Sequence, residues 1–210
     1  HGWLREHAGF KDWLNIDDPT PADFISTAFF AYTSQLMAKM AGVLGKRSDE
    51  RRYAQQFERI RTRFSEEFVT PNGRLVPESQ TAMVLALHFG LVTGKIRERI
   101  AERLVHSISS KKNHLSCGFV GSPYLNFVLS DTGHLDVAYD LLNQTSWPSW
   151  LYAVTQGATT IWERWNGWTH DEGFASAQMN SFNHYAYGAI GEWLYRRVAG
   201  IDIDEARPAH

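Results

Sequence analysis

Apolar residues along this chain recur at steps of three and four, the spacing of helices that bury one face. The first run, Ile25, Phe29, Tyr32, Leu36, Met40 and Val43, follows Thr20-Pro21-Ala22-Asp23. That tetrapeptide reads as an N-cap threonine, a first-turn proline and an early acid, and Gly45 reads as the close of the helix. A second helix is expected from a Ser48 cap, with Tyr53, Phe57, Ile60, Phe64 and Phe68 inward and arginines and glutamates outward. Pro71-Asn72-Gly73 turns the chain. The mostly apolar stretch 79–89 predicts a helix buried on more than one side. Ile96, Ile100, Leu104 and Ile108 predict an amphipathic surface helix.

After the polar loop KKNHLSCGFVG, Ser122-Pro123 again looks like a cap and a first-turn proline. Shorter helices are expected near 123–130, 134–143 and 148–156, and a long final one over 181–199 ending at Gly200. Within that last helix Gly188 and Gly191 allow close backbone approach. Strand-like alternation is confined to 74–76 and 158–162. The pattern is an all-α array of successive hairpins with very little strand. No fixed sequence period is visible, which argues against a superhelical solenoid but not against a closed ring of helix pairs. In such a ring the chemistry belongs to the loops at one rim.

Composition narrows the partners more than the fold. With 210 residues the chain is long enough to bury on the order of 70% of its surface. Its 21 basic and 23 acidic residues are evenly spread, with neither a nucleic-acid stripe nor a membrane patch, so small neutral ligands suit it best. No apolar run approaches the roughly 20 residues that span a bilayer. The single cysteine, Cys117, rules out an internal disulfide and leaves the compartment open. The start at HGWLREHAGF, without an initiator methionine, suggests a piece of something longer.

The densest candidate chemistry is TTIWERWNGW, residues 159–168. Five of the eight tryptophans, Trp147, Trp150, Trp162, Trp165 and Trp168, lie within 22 residues around it. Aromatic residues mostly pack, but an aromatic floor beside a carboxylate is also what a sugar requires: a C–H face to stack on and hydroxyls to bond. Glu163 is therefore either a surface acid paired with a base or an acid held among rings for acid–base work. Trp165, just before the Asn166-Gly167 turn, is expected at the pocket edge, partly facing solvent. His184 in MNSFNHYAYG lies near a predicted helix start, and Asp12 and Trp13 precede the first helix in KDWLNIDDPTP. The nine histidines are scattered and no HExxH or CxxC occurs, so neither metal nor cofactor is expected.

Five blocks, KDWLNIDDPTPADFISTAFFAY, SQTAMVLALHFGLV, NHLSCGFVGSPYLNFVLSDTGHLDVAYDLL, SWPSWLYAVTQGATTIWERWNGW and MNSFNHYAYGAIGEWLYRRVAGI, occur in order along nearly the whole chain. Together they resemble the catalytic domain of bacterial α-L-rhamnosidases. The resemblance implies an (α/α)6 toroid, of which this chain is the C-terminal half or somewhat more. It further implies hydrolysis of terminal α-L-rhamnose with inversion, Glu163 as general base, and His184, Trp13, Trp165, Asp12 and Trp162 as substrate-contacting residues. Two departures stand out. Lys11 occupies the glycine of the usual GDWL, and residues 1–11 hold no match to the family's acid-rich segment carrying the general acid, for which Glu6 is a poor stand-in. The resemblance implies two partners, a rhamnose-containing glycoside and the remainder of the same protein, and a fragment nearly inert alone. A non-catalytic carbohydrate-binding or scaffold unit and another (α/α)6 glycosidase remain as alternatives at this point.

Overall fold

The computed structural model of the chain describes residues 2–5 and 9–204, so Glu6 lies outside the described residues. Helices α1 (Ala22–Val43) and α2 (Arg47–Phe68) form the first hairpin, turned by Gly45 in the left-handed region at φ +68. Helices α3 (Gln80–His88) and α4 (Gly94–Ser110) form the second, and α5 (Ser122–Asp131) and α6 (Leu135–Asn143) the third. A short α7 (Trp150–Thr155) and a two-strand ribbon, β1 (Trp168–Thr169) antiparallel to β2 (Gly173–Phe174), lead to a last helical segment. That segment runs through a 3-10 turn (Ala186–Ala189), α8 (Ile190–Trp193) and a π turn (Leu194–Val198).

Packing sorts these elements into two layers. Helices α1, α3, α5 and the last segment lie side by side in that order, and α2, α4 and α6 each back the helix before them. The α1–α2 seam is aromatic, with Phe24 set edge-on between Phe64 at 5.0 Å and Phe68 at 4.9 Å. Each such ring contributes on the order of 2 kcal/mol by leaving water. Helix α3, flanked on both sides, buries every residue but its last, His88. At the far end Trp193 is fully buried, and its indole N–H donates to Ser130 Oγ at 2.9 Å.

Several expectations need correction. Helix α1 buries only the first part of the stripe of large residues: Ile25 is buried, and Phe29 and Tyr32 pack on Phe89 at 5.1 and 4.2 Å. It turns Phe24, Ala28, Ala31, Ser34 and Ala41 inward and leaves Met40 52% and Val43 88% exposed. Small residues let α2 come close, and the C-terminal end of the bulky stripe is left exposed. Thr20 does not cap α1; its hydroxyl pairs with Ser79 Oγ at 2.6 Å, and α2 likewise starts without a Ser48 cap. Ser122 is itself the first residue of α5, its hydroxyl donating back to Gly118 O at 2.6 Å.

The predicted helix over 181–199 begins only at Ala186. Residues 181–184 instead lie along 160–163, because the Ser181 and His184 amides donate to Glu163 and Ile161 rather than up a helix. Gly188 does approach Ile161, where an added Cβ would sit 3.5 Å from its side chain, but Gly191 touches nothing. No strand forms over 158–162; the only ladder among the described residues is β1–β2, with one isolated bridge between Val69 and Leu75.

Lys11 adopts φ 59, the left-handed conformation that costs a side-chain-bearing residue about 1–2 kcal/mol and a glycine almost nothing. Lys11→Gly removes that strain, while the extra freedom of glycine in the unfolded chain takes back about 0.5–1 kcal/mol. The expected net gain is up to about 1 kcal/mol, and denaturant midpoints of the two proteins check it.

Candidate active site

The loops that precede the inner helices meet at one rim, and two knots of hydrogen bonds hold them there. The first centres on Asp12, 1% exposed. Its Oδ2 accepts from Thr81 Oγ1 at 2.5 Å and Gly118 N at 2.8 Å, and its Oδ1 from Val120 N at 2.8 Å and Gly121 N at 3.4 Å. Burial pushes the Asp12 carboxyl above its usual range, against the pull of these donors. Beside it, Phe119 N donates to Trp13 O at 3.0 Å and Ile16 N to Ser116 O at 2.9 Å. Asp18 Oδ2 accepts from Gln80 N at 3.0 Å and Ser116 Oγ at 2.5 Å. Gly118 has no substitute, since a Cβ there would stand 2.1 Å from Trp13 O.

The second knot carries Glu163. Its N–H donates to Ser181 O at 2.8 Å, and Ser181 N donates back to Glu163 Oε2 at 2.8 Å. His184 N donates to Ile161 O at 2.9 Å, and the Thr160 hydroxyl bonds the Phe182 carbonyl. Asn180 Nδ2 reaches Gly167 O at 2.7 Å, while Trp162 packs edge-on against Phe182 at 5.0 Å. Glu163 is thus clamped on a short extended segment, 9% exposed, with one oxygen taken. Oε1 makes no hydrogen bond to the described residues. That oxygen is the free acceptor of the site.

An aromatic bridge joins the two knots. Trp165 stacks on Tyr187 at 3.7 Å, meets Trp150 edge-on at 5.4 Å, and donates its indole N–H to Cys117 O at 3.1 Å. Tyr187 in turn packs against Phe119 at 5.1 Å and points its hydroxyl toward Leu14 O at 3.4 Å. Burial first, and then the charge of Asp12, drives the Tyr187 phenol far above its usual range, so it stays a donor. Phe119 also lies 5.1 Å from the half-buried ring of His184. His184 Nδ1 accepts from Ala186 N at 3.3 Å, which puts the proton of the neutral ring on Nε2. No described residue accepts that Nε2–H, leaving it available to a ligand.

The structure therefore gathers Glu163, His184, Trp162, Trp165 and the backbone of Trp13 on one rim, with Asp12 beneath them. The half-buried ring of Trp13 contacts Phe10 at 6.1 Å and no other described aromatic ring. Trp165 is not the partly exposed edge residue expected from its place before a turn: it is 5% exposed, because Tyr187 and Trp150 cover both sides. Both Asp12 oxygens are occupied by the protein. Tyr187, Phe119, Thr81 and Gly118 were not singled out from the sequence. Only Tyr187, three residues after His184, carried a signal. Among the described residues no three His, Cys, Asp or Glu side chains gather to hold a metal ion, and no helix is long and apolar enough to cross a membrane.

Comparison with known proteins decides the family. The bacterial alpha-L-rhamnosidase 6 hairpin glycosidase domain matches residues 1–198. The chain belongs to this family. Its curated relatives include an alpha-L-rhamnosidase of Streptomyces avermitilis, 50% identical over 95% of this chain and 19% of the relative. One of Formosa agariphila is 44% identical over 91% of this chain and 22% of the relative. The crystal structure of the Streptomyces avermitilis alpha-L-rhamnosidase complexed with L-rhamnose superposes with a TM-score of 0.94 at 48% identity, covering 97% of this chain and 20% of that one. The alpha-L-rhamnosidase of Aspergillus terreus superposes at 0.87 with 32% identity, over 90% of this chain and 23% of its own. The mostly helical chain superposes on part of the six-hairpin, (α/α)6 domain of these enzymes, and it spans about one fifth of the curated relatives' length.

Proposed function

We propose that this chain carries the general-base side of a site that hydrolyses terminal α-L-rhamnosides with inversion. The observation that supports it best is Glu163 itself: one oxygen is held by the Ser181 amide and the other has no hydrogen-bond partner among the described residues, inside an aromatic wall. In this reading Oε1 takes a proton from water as the water oxygen bonds the anomeric carbon from the face opposite the leaving group. The glycosidic C–O bond breaks, and a carboxylic acid on the other side protonates the departing oxygen. Inversion places those two carboxyls about 6.5–9.5 Å apart, with room for the water between.

The acid is proposed to come from the remainder of a longer protein, of which relatives five times this length are the pattern. His184 Nε2–H donates to a hydroxyl of the sugar, and Trp13 offers it a ring face. Trp165 and Trp162 form the wall that keeps competing water away, and Asp12 fixes the loop behind them. The alternative of a binding module without chemistry gains no support from a glutamate oriented in this way.

The stereochemistry tests this reading directly. The full-length protein, given an aryl α-L-rhamnoside and followed by proton NMR, is expected to release β-L-rhamnose first, with the α anomer appearing only as the sugar mutarotates. Early α-L-rhamnose is the result that sinks it, since retention requires a nucleophile where this reading puts a water. The 210-residue chain alone is expected to turn over at least about 10²-fold more slowly, because general acid help of that size is missing.

A further inference from the structure

Trp165 and Tyr187 also border a small cavity of about 40 Å³, lined further by residues of α7 and of the 160–164 segment. About 10–15 Å³ of such space holds one water, so it takes a few waters or one monoatomic anion, and neither a sulfate nor a sugar ring. Arg164 is the one charged side chain on its wall. The guanidinium makes no ion pair with the described residues, and its only hydrogen bond among them is a long one, from Nη1 to Met179 O at 3.4 Å. Nε is shut off from solvent without any acceptor among those residues. Native structures leave few buried donors unspent, and a charged one is costlier than a neutral one.

Two neutral donors share this wall. Ser149 Oγ accepts from Tyr152 N at 3.1 Å and donates to no described residue, so its own hydrogen is unspent. The Trp162 indole N–H likewise makes no hydrogen bond to the described residues. The other side-chain hydrogens around the cavity are used: Trp150 donates to Tyr187 O, Trp165 to Cys117 O, Thr160 to Phe182 O and Tyr187 to Leu14 O. No carboxylate on the wall balances Arg164. Glu163 and Asp12, whose charges reach the Tyr187 ring as that of Arg164 does, lie outside it. A water accepts from two of the three unspent donors and then needs acceptors for two hydrogens of its own. A monoatomic anion accepts from all three and offsets the guanidinium charge.

We propose that the cavity bordered by Arg164, Ser149 and Trp162 binds one small monovalent anion of the size of chloride. Occupied, it cross-links the start of α7 to the segment that carries Glu163, a tie that none of the hydrogen bonds described above supplies. The assignment stands apart from the reading of Glu163 as a base, since neither the ion nor its donors act on the sugar.

The experiment titrates the full-length protein with sodium chloride in place of sodium gluconate at constant ionic strength, followed by tryptophan fluorescence. A single saturable change is expected, reproduced by bromide and not by sulfate, which is too large for the cavity. Arg164→Gln should abolish it. Ser149→Ala should raise the half-saturating concentration about tenfold, the loss of one hydrogen bond to a charged acceptor. In crystals soaked in bromide, an anomalous peak is expected within hydrogen-bonding distance of both Arg164 Nε and Ser149 Oγ. A fluorescence change that never saturates, an equal response in Arg164→Gln, or a bromide map with nothing in this cavity overturns the proposal. Should Arg164→Gln fail to fold, Ser149→Ala and the bromide map still decide. None of these readouts uses rhamnoside cleavage, so the anion site and the proposed function stand or fall separately.

Discussion

With Glu163 as the proposed base, Glu163→Gln in the full-length protein is expected to lower turnover by at least about 10²-fold and to leave KM nearly unchanged. Glutamine has the size of glutamate and still offers an oxygen to Ser181 N, the bond that now measures 2.8 Å, so the clamp between 160–163 and 181–184 persists. What is lost is the capacity to accept a proton from water at Oε1. The change acts on the chemical step alone, which is why it appears in kcat. The sugar contacts proposed for His184 and Trp13 are made in ground and transition states alike, so binding should hold. Steady-state kinetics on an aryl rhamnoside, with near-ultraviolet circular dichroism of the tryptophan cluster to confirm that the rim is intact, make the measurement. A variant within a few-fold of wild type would remove Glu163 from the mechanism and return the aromatic wall to plain packing.

The second large effect concerns stability. Trp165 is buried between Tyr187 and Trp150, and its N–H satisfies the Cys117 carbonyl on the loop that Asp12 holds. Trp165→Ala should therefore cost about 3–5 kcal/mol, the range for truncating a packed aromatic, and should weaken rhamnose binding only as a consequence. Trp165→Phe separates packing from the hydrogen bond. It keeps a ring against Tyr187 but strands Cys117 O, at a cost of about 1–3 kcal/mol. Urea unfolding curves for the three proteins order them. If Trp165→Ala unfolds within about 1 kcal/mol of wild type while rhamnose affinity collapses, the indole is a sugar platform despite its burial, and the packing account fails.

How much of this could be read from the sequence depended on the range of the interactions involved. The buried faces of α2 and α4 were legible because Phe57, Ile60 and Phe64, or Ile100, Leu104 and Ile108, are large and evenly spaced. The face of α1 was legible only in its first part, where Ile25 is buried and Phe29 and Tyr32 pack on Phe89. Ala28 and Ala31 carry little hydrophobic signal, yet their small size is what lets α2 approach, and the larger Met40 and Val43 extended the stripe past its buried part. The stretch 181–185 looked helical because nothing nearby announces that its amides bond a segment some 20 residues earlier, as in the Ser181–Glu163 pair separated by 18.

At the site, the tryptophan-rich TTIWERWNGW was conspicuous, since composition alone exposes it. Phe119 and Thr81 were invisible, one an unremarkable aromatic in a glycine-bearing loop and the other a threonine in an apolar helix. Their parts depend on residues far away in the chain. Asp12 was visible only as an acid preceding the first helix; its four donors show that it ties a loop.

The bonds that tie the rim join residues 69, 106 and 173 positions apart, from Asp12 to Thr81, Asp12 to Gly118, and Leu14 to Tyr187. The hairpins, by contrast, join neighbours along the chain. Closing long loops costs entropy before any contact rewards it, so helices and hairpins assemble early and the rim closes after them. The same ordering runs in reverse under stress, because contacts made last and between distant segments are the first to open. A protein of this architecture can thus keep its helical content while its pocket has already come apart, and far-ultraviolet circular dichroism will report it as folded after the segments that hold Glu163 have parted.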